Sequence, residues 1–570
     1  MFTRRLSHAL AVLLALSLLL NPLLAQKGKR GTVQVVDLKS WLTYLSSDEL
    51  EGRATYSEGL GLAAAYIAQH LRELGVKPGG DNGSYFQRVK VLGVKSTNKS
   101  TLAVEVNGQT RIFKEGEGIS FPRNVGGKRS FTVDQVEFMG YGLDAPQANH
   151  NDFAGKDVSG KAVIFLGNQG PKNIAAQFRR LLFGRGRYAI DQRKAVATIG
   201  PGFAAGGGGR GGGAPTGAGA PGGMGGRGGA IEAPDFTTVE RLDRPTPPSL
   251  TAQDEFFEFL FSNADVKYAE LKDKAAKQEA LPAFTLKGVK LTFNLDAEYR
   301  TVRTQYTRNV IGVIEGSDAA LKDTYVAFGA HYDHVGYAEG EVVNGARQGA
   351  VGRVKQGATD DRIWNGADDD GSGTATLLGI AKAFATGPKP KRSLVFVWHA
   401  GEERGLLGSR YFADYPTIPM EKIVAQLNMD MIGRNRDDKP EEENSVYLVG
   451  SDRISTELHN ISIAANAALP KPLKLDYEMN DPSDLEQVYY RSDHYSYAAK
   501  GIPIIFYTTG LHGDYHVNTD SVEKINFEKM ARIGQLVVDT GRRVANLDHA
   551  PARDNKGPRV GKGSDGKITQ

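Results

Sequence analysis

The stretch SLVFVWHAGEERGLLGS, residues 393–409, runs from an apolar segment into two adjacent acids, Glu402 and Glu403. A short apolar run bounded by a turn predicts a buried strand. Similar runs occur at TYVAFGA (324–330), IVAQLNMDMI (423–432) and IPIIFYTT (502–509). A helical pattern, GTATLLGIAKAFATG at 373–387, separates the first run from the opening one. Strands that alternate with helices predict an α/β fold whose sheet is at least partly parallel.

Composition and charge limit the possible classes of protein. The chain has 570 residues, enough for two to four domains of about 150 residues each. The net charge of +4 is small for this length and does not favour binding to nucleic acid. There is no cysteine, which excludes disulfides, cysteine nucleophiles and thiolate metal sites.

The first 25 residues have the pattern of an export signal. Arg4 and Arg5 precede the apolar run AVLLALSLLL, and NPLLA ends in a small residue suited to cleavage after Ala25. A membrane anchor is the alternative, but the run is short for a span. We therefore expect a periplasmic or extracellular protein with no stable membrane insertion after cleavage.

Residues 26–300 contain three kinds of sequence pattern: helical, strand-like and glycine-rich. GLGLAAAYIAQHLRELGV, 59–76, has a helical period and ends near a glycine, while FTVDQVEFMGYGL and GKAVIFLG have the short apolar pattern of strands. The segment 201–230 holds 16 of the 69 glycines and predicts a disordered loop. A nucleotide-binding glycine loop is disfavoured there, because no strand leads in and no GK[ST] follows.

Acids and histidines follow each predicted strand of the second half. The residues are His331 and Asp333, the run Asp368–Asp370 before the helix, Glu402 and Glu403, Asp430, and Tyr515, His516 and Asp520. Open α/β sheets bind ligands beyond the carboxyl ends of their strands, so we expect these side chains to meet there. Each alone has a structural explanation; an acidic run, for example, is also typical of a helix N-terminus.

Imidazoles and carboxylates without thiolates suit catalytic zinc or a related divalent metal. Three carboxylates and two imidazoles could hold two cations if one carboxylate bridges them. Without metal, the same acids would be like charges held close together, which is costly. This explains the adjacent glutamates of the opening stretch: one would coordinate a cation and the other would face the bound water.

Five motifs in fixed order carry a resemblance. GAHYDHVG, NGADDDGSGTA, AGEERGLLGS, LNMDMIGR and YHVNTD are similar to the two-zinc aminopeptidase family, whose relatives include glutamate carboxypeptidase, glutaminyl cyclase and the transferrin receptor. LSSDELEGRATYSEGLGLAAAYIAQHLRELGVKPGGDNGSYFQ resembles the N-terminal segment of exported bacterial members. VEFMGYGLDAPQANHNDFAGKDVSGKAVIFLG resembles the protease-associated domain inserted in many of them.

The resemblance implies a role for each site residue. His331 and Asp430 would bind one Zn²⁺, Glu403 and His516 the other, and Asp369 would bridge both, since the family's bridging Asp lies three residues before the serine that here is Ser372. Glu402 would be the general base and Tyr515 would stabilise the oxyanion. Asp333 would orient the His331 imidazole, and Asp520 would support the site. His334, His399, His494 and His512 are interpreted as packing or supporting residues.

The resemblance also implies a domain organisation. The fold would be α/β, a zinc-exopeptidase-type mixed, largely parallel sheet flanked by helices, with an inserted β-rich protease-associated domain. The predicted division is a signal peptide (1–25), an N-terminal peptidase segment (26–120), the insert (121–298), a C-terminal peptidase segment with the metal site (299–547) and a disordered tail (548–570).

These observations predict an exported zinc exopeptidase that removes N-terminal residues from peptides by metal-activated water. A carboxypeptidase or dipeptidase on the same metal site is the alternative. A non-catalytic, receptor-like scaffold is disfavoured because no ligand position is missing. The sequence leaves side-chain preference, native metal and oligomeric state open.

Overall fold

The computed structural model describes residues 31–202 and 232–555. The predicted signal peptide, nearly all of the glycine-rich segment and most of the predicted tail lie outside these residues. Within them the helices are α1 (Val35–Leu45), α2 (Glu58–Glu73), α3 (Arg185–Asp191), α4 (Asp254–Leu260), α5 (Tyr268–Ala276), α6 (Gly373–Thr386), α7 (Leu407–Asp414), α8 (Thr456–Ala467), α9 (His494–Ala498) and α10 (Phe527–Asn546). No helix in the described ranges is both long and apolar enough to cross a bilayer.

The strands are mostly short. They are β1 (Lys77–Pro78), β2 (Phe86–Asn98), β3 (Thr101–Val106), β4 (Gln109–Lys114), β5 (Ile119–Ser120), β6 (Arg129–Val133), β7 (Val136–Met139), β8 (Asp144–Ala145), β9 (His150–Asn151), β10 (Ala162–Ile164), β11 (Ala197–Pro201), β12 (Phe236–Thr238), β13 (Ser249–Ala252), β14 (Ala283–Thr285), β15 (Val289–Leu295), β16 (Ala297–Ile314), β17 (Tyr325–His331), β18 (Gly336–Tyr337), β19 (Val342–Val343), β20 (Ala346–Arg347), β21 (Ile363–Trp364), β22 (Ser393–His399), β23 (Ile423–Met429), β24 (Ser445–Val449), β25 (Lys474–Asp476) and β26 (Ile504–Thr508).

The largest sheet has ten strands in the order β12-β2-β16-β22-β17-β23-β26-β24-β25, with β1 paired to β16. Its centre, β22-β17-β23-β26, is parallel, and so is the β24–β25 pair. The pairs on the β2–β16 side and the β24–β26 pair are antiparallel. The fold is therefore mixed α/β, as predicted, but within the largest sheet parallel order is confined to these strands. The reason is that β2 and β16 are neighbours in a long antiparallel ribbon that extends the sheet without a crossover helix. A separate six-stranded sheet also contains parallel pairs, β7–β10, β10–β11 and β11–β13.

Helices cover the parallel centre and bury both of its faces. Every residue of β22 and β23 is buried, which is why these strands read as continuous apolar runs rather than alternating ones. Helices α1, α2, α6 and α10 pack into one large core with the sheet. Helix α6 is buried from Gly373 to Ala381, since it lies between the sheet and outer helices.

A second apolar core lies within residues 102–295. Two further sheets enclose it, with the orders β14-β7-β10-β11-β13-β5 and β4-β3-β15-β6. Strands β3, β4 and β5 belong to this core, although the predicted boundary assigned 26–120 to the N-terminal peptidase segment. The alternating run TLAVEV in β3 buries Leu102, Val104 and Val106, and β3 pairs with β15. No motif in the sequence indicates that β3 pairs with a strand so far along the chain.

The N-terminal helices are fixed to the edge of the sheet where the candidate residues lie. Arg53 is fully buried, and its guanidinium donates hydrogen bonds to the carbonyls of Leu45, Tyr332, Asn365 and Gly366. The Arg53 carbonyl in turn accepts from the His334 amide, 3.0 Å away. The buried Arg53 guanidinium thus joins three segments of the chain. It also satisfies carbonyl groups that would otherwise be buried without a hydrogen-bond donor.

Candidate metal centre

The candidate residues lie at the carboxyl ends of the central parallel strands. His331 ends β17 beside His399, which ends β22. Glu402 follows β22 after a short turn through Gly401, whose φ of 74° lies in the left-handed region that glycine adopts readily. Asp430 directly follows β23. Parallel register therefore brings side chains that are far apart in sequence to one edge, as expected for an open α/β sheet.

Asp369 lies between two histidines. His331 Nε2 is 3.3 Å from Asp369 Oδ1 and 3.5 Å from Asp430 Oδ2. His516 Nε2 is 3.0 Å from the other oxygen of Asp369, Oδ2, and 3.0 Å from Glu403 Oε2. The two oxygens of one carboxylate thus face two separate groups of donors. The five residues His331, Asp369, Glu403, Asp430 and His516 are hereafter the metal-ligand cluster.

These spacings suit cation binding. Zinc bonds of about 2.0–2.2 Å in a tetrahedral site place neighbouring donor atoms about 3.3–3.6 Å apart. Three members of the cluster are buried, with His331 1%, Asp369 3% and Asp430 8% exposed. Glu403 is partly buried, and the His516 side chain is 25% exposed. His331 Nε2, Asp369 Oδ2 and Glu403 Oε1 make no hydrogen bond in the described structure. Buried donors and acceptors without partners are costly, so this set fits a group that accepts their lone pairs.

The three aspartates before α6 have separate tasks. Asp370 accepts hydrogen bonds from the amides of His331, Gly373 and Met431. Asp368 accepts from the Gly433 amide at 2.6 Å. Among the three, only Asp369 contacts the imidazole rings of His331 and His516, and it is the residue predicted to bridge. Asp520, which is expected to support the site, accepts hydrogen bonds from the Asp368 and Asp369 amides.

Asp333, which is expected to orient the His331 imidazole, lies closer to it through its backbone than through its side chain. His331 Nδ1 is 3.1 Å from the backbone oxygen of Asp333 and 3.7 Å from its carboxylate. The carboxylate instead accepts from the Thr55 hydroxyl at 2.8 Å and from the Glu402 amide at 3.1 Å. Asp333 therefore holds the imidazole through its carbonyl, and its side chain fixes the turn that carries the two glutamates.

Glu402 and Glu403 occupy different environments. Burial, together with the nearby Glu403 and Asp430 carboxylates, raises the pKa of Glu402 well above its usual range. Burial opposes ionisation of Glu403 as well, but contacts with His516 and His334 outweigh it and lower the pKa of Glu403 to about 2. The pKa values of these adjacent acids are thus shifted in opposite directions.

Tyr515 is packed against the cluster. Its ring stacks on the imidazole of His516 at 4.0 Å between centroids. The Tyr515 hydroxyl accepts a hydrogen bond from Arg491 Nη2 at 3.1 Å. Burial raises the pKa of Tyr515, so the hydroxyl remains protonated and able to donate a hydrogen bond.

Four histidines were interpreted from the sequence as packing or supporting residues, and three of them have partners away from the cluster. His399 lies 3.0 Å from the Tyr497 hydroxyl, His494 lies 2.8 Å from the Tyr489 carbonyl, and His512 lies 3.2 Å from Asp368. These positions agree with packing and supporting roles.

His334 is the exception among these four histidines. Its Nδ1 atom lies 3.0 Å from Glu403 Oε1 and 3.8 Å from Asp369 Oδ2. His334, Asp369 and Glu403 therefore form a second trio with metal-ligand spacing, beside that of His331, Asp369 and Asp430. The spacing H-x-x-H in HYDH was the only signal in the sequence for this contact.

A cavity of about 290 Å³ opens beside the cluster. Asp369, Glu402, Asp430, Tyr515 and His516 form one side of it. Apolar side chains and two arginines line much of the rest, namely Met431, Met479, Val488, Phe506, Leu511, Arg436 and Arg491. The sequence motifs did not identify the arginines, because they reach the cavity from segments outside those motifs.

Comparison with known proteins agrees with this geometry. Residues 309–541 match the model of peptidase family M28. A probable leucine aminopeptidase of Trichophyton verrucosum (strain HKI 0517) is 30% identical over 240 residues, which cover 40% of this chain and 61% of the relative. A glutamate carboxypeptidase 2 homolog of Caenorhabditis elegans is 34% identical over 161 residues, 27% of this chain and 16% of the relative.

Among solved structures, an aminopeptidase from Aneurinibacillus sp. strain AM-1 aligns at 18% identity over 92% of this chain and 98% of its own, with a TM-score of 0.40. The chain spans 61% of the length of the leucine aminopeptidase named above. All five residues of the metal-ligand cluster fall inside the range 309–541, which matches the model of peptidase family M28.

Proposed function

We propose that this chain is a zinc aminopeptidase that removes residues from the N-termini of peptides and holds two Zn²⁺ per chain. The observation that carries this proposal is the position of Asp369, whose two oxygens face His331 and His516 respectively. The match of residues 309–541 to the model of peptidase family M28 and the similarity to a leucine aminopeptidase support it.

When bound, a pair of divalent cations supplies a water of lowered pKa and a Lewis acid for the peptide carbonyl. Glu402 lines the cavity and is held by the bond from its amide to Asp333. Its carboxylate takes the proton of the attacking water and delivers it to the leaving amine. The Tyr515 hydroxyl donates a hydrogen bond to the developing oxyanion, a contribution of about 3–4 kcal/mol for a donor of this kind.

A carboxypeptidase or dipeptidase is the second candidate. The similarity to a glutamate carboxypeptidase 2 homolog and the presence of Arg491 in the cavity favour it. A receptor-like scaffold without activity is disfavoured, because the full donor set and Glu402 are present.

One peptide offered in three forms, free, N-acetylated and C-amidated, distinguishes these candidates. Mass spectrometry of the products shows which end is shortened. We expect the free and C-amidated forms to lose N-terminal residues, the acetylated form to persist, and a zinc chelator to stop turnover. Loss of turnover with the C-amidated form alone would establish the carboxypeptidase instead.

Two further proposals concern residues outside the metal-ligand cluster. We propose that residues 1–25 direct export to the periplasm or exterior and are removed, as their charge and apolar pattern suggest. We also propose that the second core represents a protease-associated insert, since its sequence resembles that domain. Its range then extends beyond the predicted 121–298 to include β3 to β5, which pack in the same core.

A further inference from the structure

One wall of the cavity beside the metal-ligand cluster carries the guanidinium group of Arg491. Arg491 Nη1 donates to Glu486 Oε2 at 3.1 Å. Arg180, from the segment that precedes α3, donates to the other oxygen of the same carboxylate at 2.8 Å. Two guanidinium groups thus share the Glu486 carboxylate. The carboxyls of Asp484 and Glu402 also lie near Arg491.

The other arginine of the cavity is balanced. Arg436 Nη1 lies 3.3 Å from Glu478 Oε2 and 3.3 Å from the Tyr447 hydroxyl. Asp437, also in the cavity, pairs with Lys439 at 2.9 Å. Arg436 thus has an acid of its own, whereas Arg491 shares Glu486 with Arg180.

Arg491 is also the cation next to the reacting centre. Its Nη2 atom lies 3.1 Å from the Tyr515 hydroxyl, and the Tyr515 ring stacks on His516. The contacts with Glu486 and Tyr515 use two of the five guanidinium N–H groups. About a third of the Arg491 side chain is exposed, at 32%. A planar guanidinium with further donors in a partly desolvated site suits a carboxylate.

We propose that Arg491 binds a carboxylate of the peptide substrate within one residue of the scissile bond. The inference rests on the proposed peptidase function of the same site. Such a carboxylate has two sources: the side chain of an aspartate or glutamate beside the bond, or the free C-terminus of a dipeptide. The chain would then be a peptidase for acidic or very short peptides rather than a general one.

Three substrate pairs test this, each matched in shape and differing in one carboxylate. They are Asp-Ala-amide and Asn-Ala-amide, Leu-Asp-amide and Leu-Asn-amide, and Leu-Ala and Leu-Ala-amide. In at least one pair we expect the charged member to have a kcat/KM roughly tenfold or more above the neutral one, the scale of one charge-assisted hydrogen bond. The pair that responds identifies the source of the carboxylate.

The Arg491→Met variant should lose this preference, mainly through KM, while its rates on neutral substrates change less. Arg111→Met is the control, since Arg111 lies on β4 and pairs with Glu255. Metal content and melting temperature should match the wild type in both variants. If Arg491→Met does not fold, the wild-type rates on the three pairs decide the question without it.

Two results would overturn the inference. One is a wild-type enzyme that cleaves the neutral member at least as fast in every pair. The other is an equal loss on all substrates in Arg491→Met, which would place Arg491 in the support of Tyr515 alone. Cleavage of Leu-Ala-amide in either case leaves the proposed function intact, whereas no cleavage of any peptide by zinc-loaded protein removes both.

Discussion

Glu402 and Glu403 are neighbours in sequence, but their side chains have different partners. Glu403 reaches His516 and His334, while Glu402 lines the cavity and has its amide held by Asp333. The turn that begins at Gly401 separates the two carboxylates, so like charges on adjacent residues do not compete for one position. A single turn thus supplies a proposed base and a proposed ligand.

Substitution of each glutamate by glutamine should separate these roles. For Glu402→Gln we expect full metal content and a kcat lower by about 10²–10⁴, the usual contribution of a general base. For Glu403→Gln we expect loss of metal as well as activity. Metal analysis and kinetics on the same preparations measure both. Full metal content in Glu403→Gln would contradict its assignment as a ligand.

His334 provides a second prediction at this scale. Because it contacts the Glu403 oxygen that has no hydrogen bond, we expect His334→Ala to weaken binding of one metal by about 10–100-fold, as for other partners of metal ligands. Titration of the metal-free protein with zinc measures this. His549→Ala is the control, because that side chain is 56% exposed. Equal affinities in both variants would limit His334 to packing.

The sequence placed the five cluster residues in motifs near the ends of predicted strands or before a helix, and the resemblance implied that they are metal ligands. The structure brings their side chains together. The sequence did not predict the contact of His334 with Glu403, since a lone histidine near a strand end is usually structural. Arg491 was also missed. Its position depends on how the loop before α9 folds over the sheet edge, and no local pattern specifies this.

At the scale of elements, the parallel strands determine where the cluster forms. The paired register of β17 and β22 places His331 level with His399, two residues before Gly401. A one-residue shift in that register would move the side chains of β17 to the other face of the sheet. Strand bounds matched the apolar runs closely because buried parallel strands are apolar at every position.

Asp414, at the end of α7, joins that helix to other parts of the chain. Its Oδ1 atom lies 2.7 Å from Lys500 and 2.9 Å from Arg244, and its Oδ2 atom accepts from the Arg241 amide. Burial would raise the pKa of Asp414, but these three contacts outweigh it and hold the pKa below its usual value. We expect Asp414→Asn to lower the free energy of unfolding by about 1.5–3 kcal/mol near neutral pH.

The effect of Asp414→Asn should depend on pH with a defined sign. A carboxyl whose folded pKa is depressed stabilises the protein above its unfolded pKa, near 3.8, and this stabilisation is lost as pH falls through the folded pKa. The difference between wild type and variant should therefore shrink below about pH 4. Denaturant unfolding across this range measures it, with Asp548→Asn, 89% exposed, as the control. A difference that grows in acid would contradict the assignment.

The domain boundary was the least predictable aspect of the fold. Strands β3 and β4 read as ordinary alternating strands, and the sequence does not reveal that the partner of β3 beyond this hairpin is β15, far along the chain. The pairing of strand β12 was equally unpredictable from the sequence. This strand lies inside the predicted insert but pairs with β2 in the large sheet. Long-range pairing of short strands leaves no local signature.

At the scale of the whole molecule, the metal-ligand cluster is a point where distant segments meet. Its residues come from β17, the turn after β22, the end of β23 and two loops, and Arg53 attaches the N-terminal helices to the same edge. Without cations, buried carboxylates would repel each other there. The stability of the fold should therefore depend on metal.

We expect zinc to raise the melting temperature of chelator-treated protein. A ligand that binds only the folded state stabilises it by about 4 kcal/mol at 1,000 times its dissociation constant. Differential scanning calorimetry with increasing zinc measures the shift. The double variant His331→Ala, His516→Ala should show little of it. An equal shift in that variant would place the stabilising ion elsewhere.

The proposal that the metal-ligand cluster holds two zinc ions required for activity is tested most directly by elemental analysis of purified, active protein. Peptidase activity is followed in parallel as zinc is added back to chelated protein. We expect two zinc ions per chain, recovery of activity as these sites fill, and no recovery when His331 or Asp369 is replaced by alanine. Active protein that contains no bound metal, or activity that persists in the Asp369→Ala variant, would contradict the proposal.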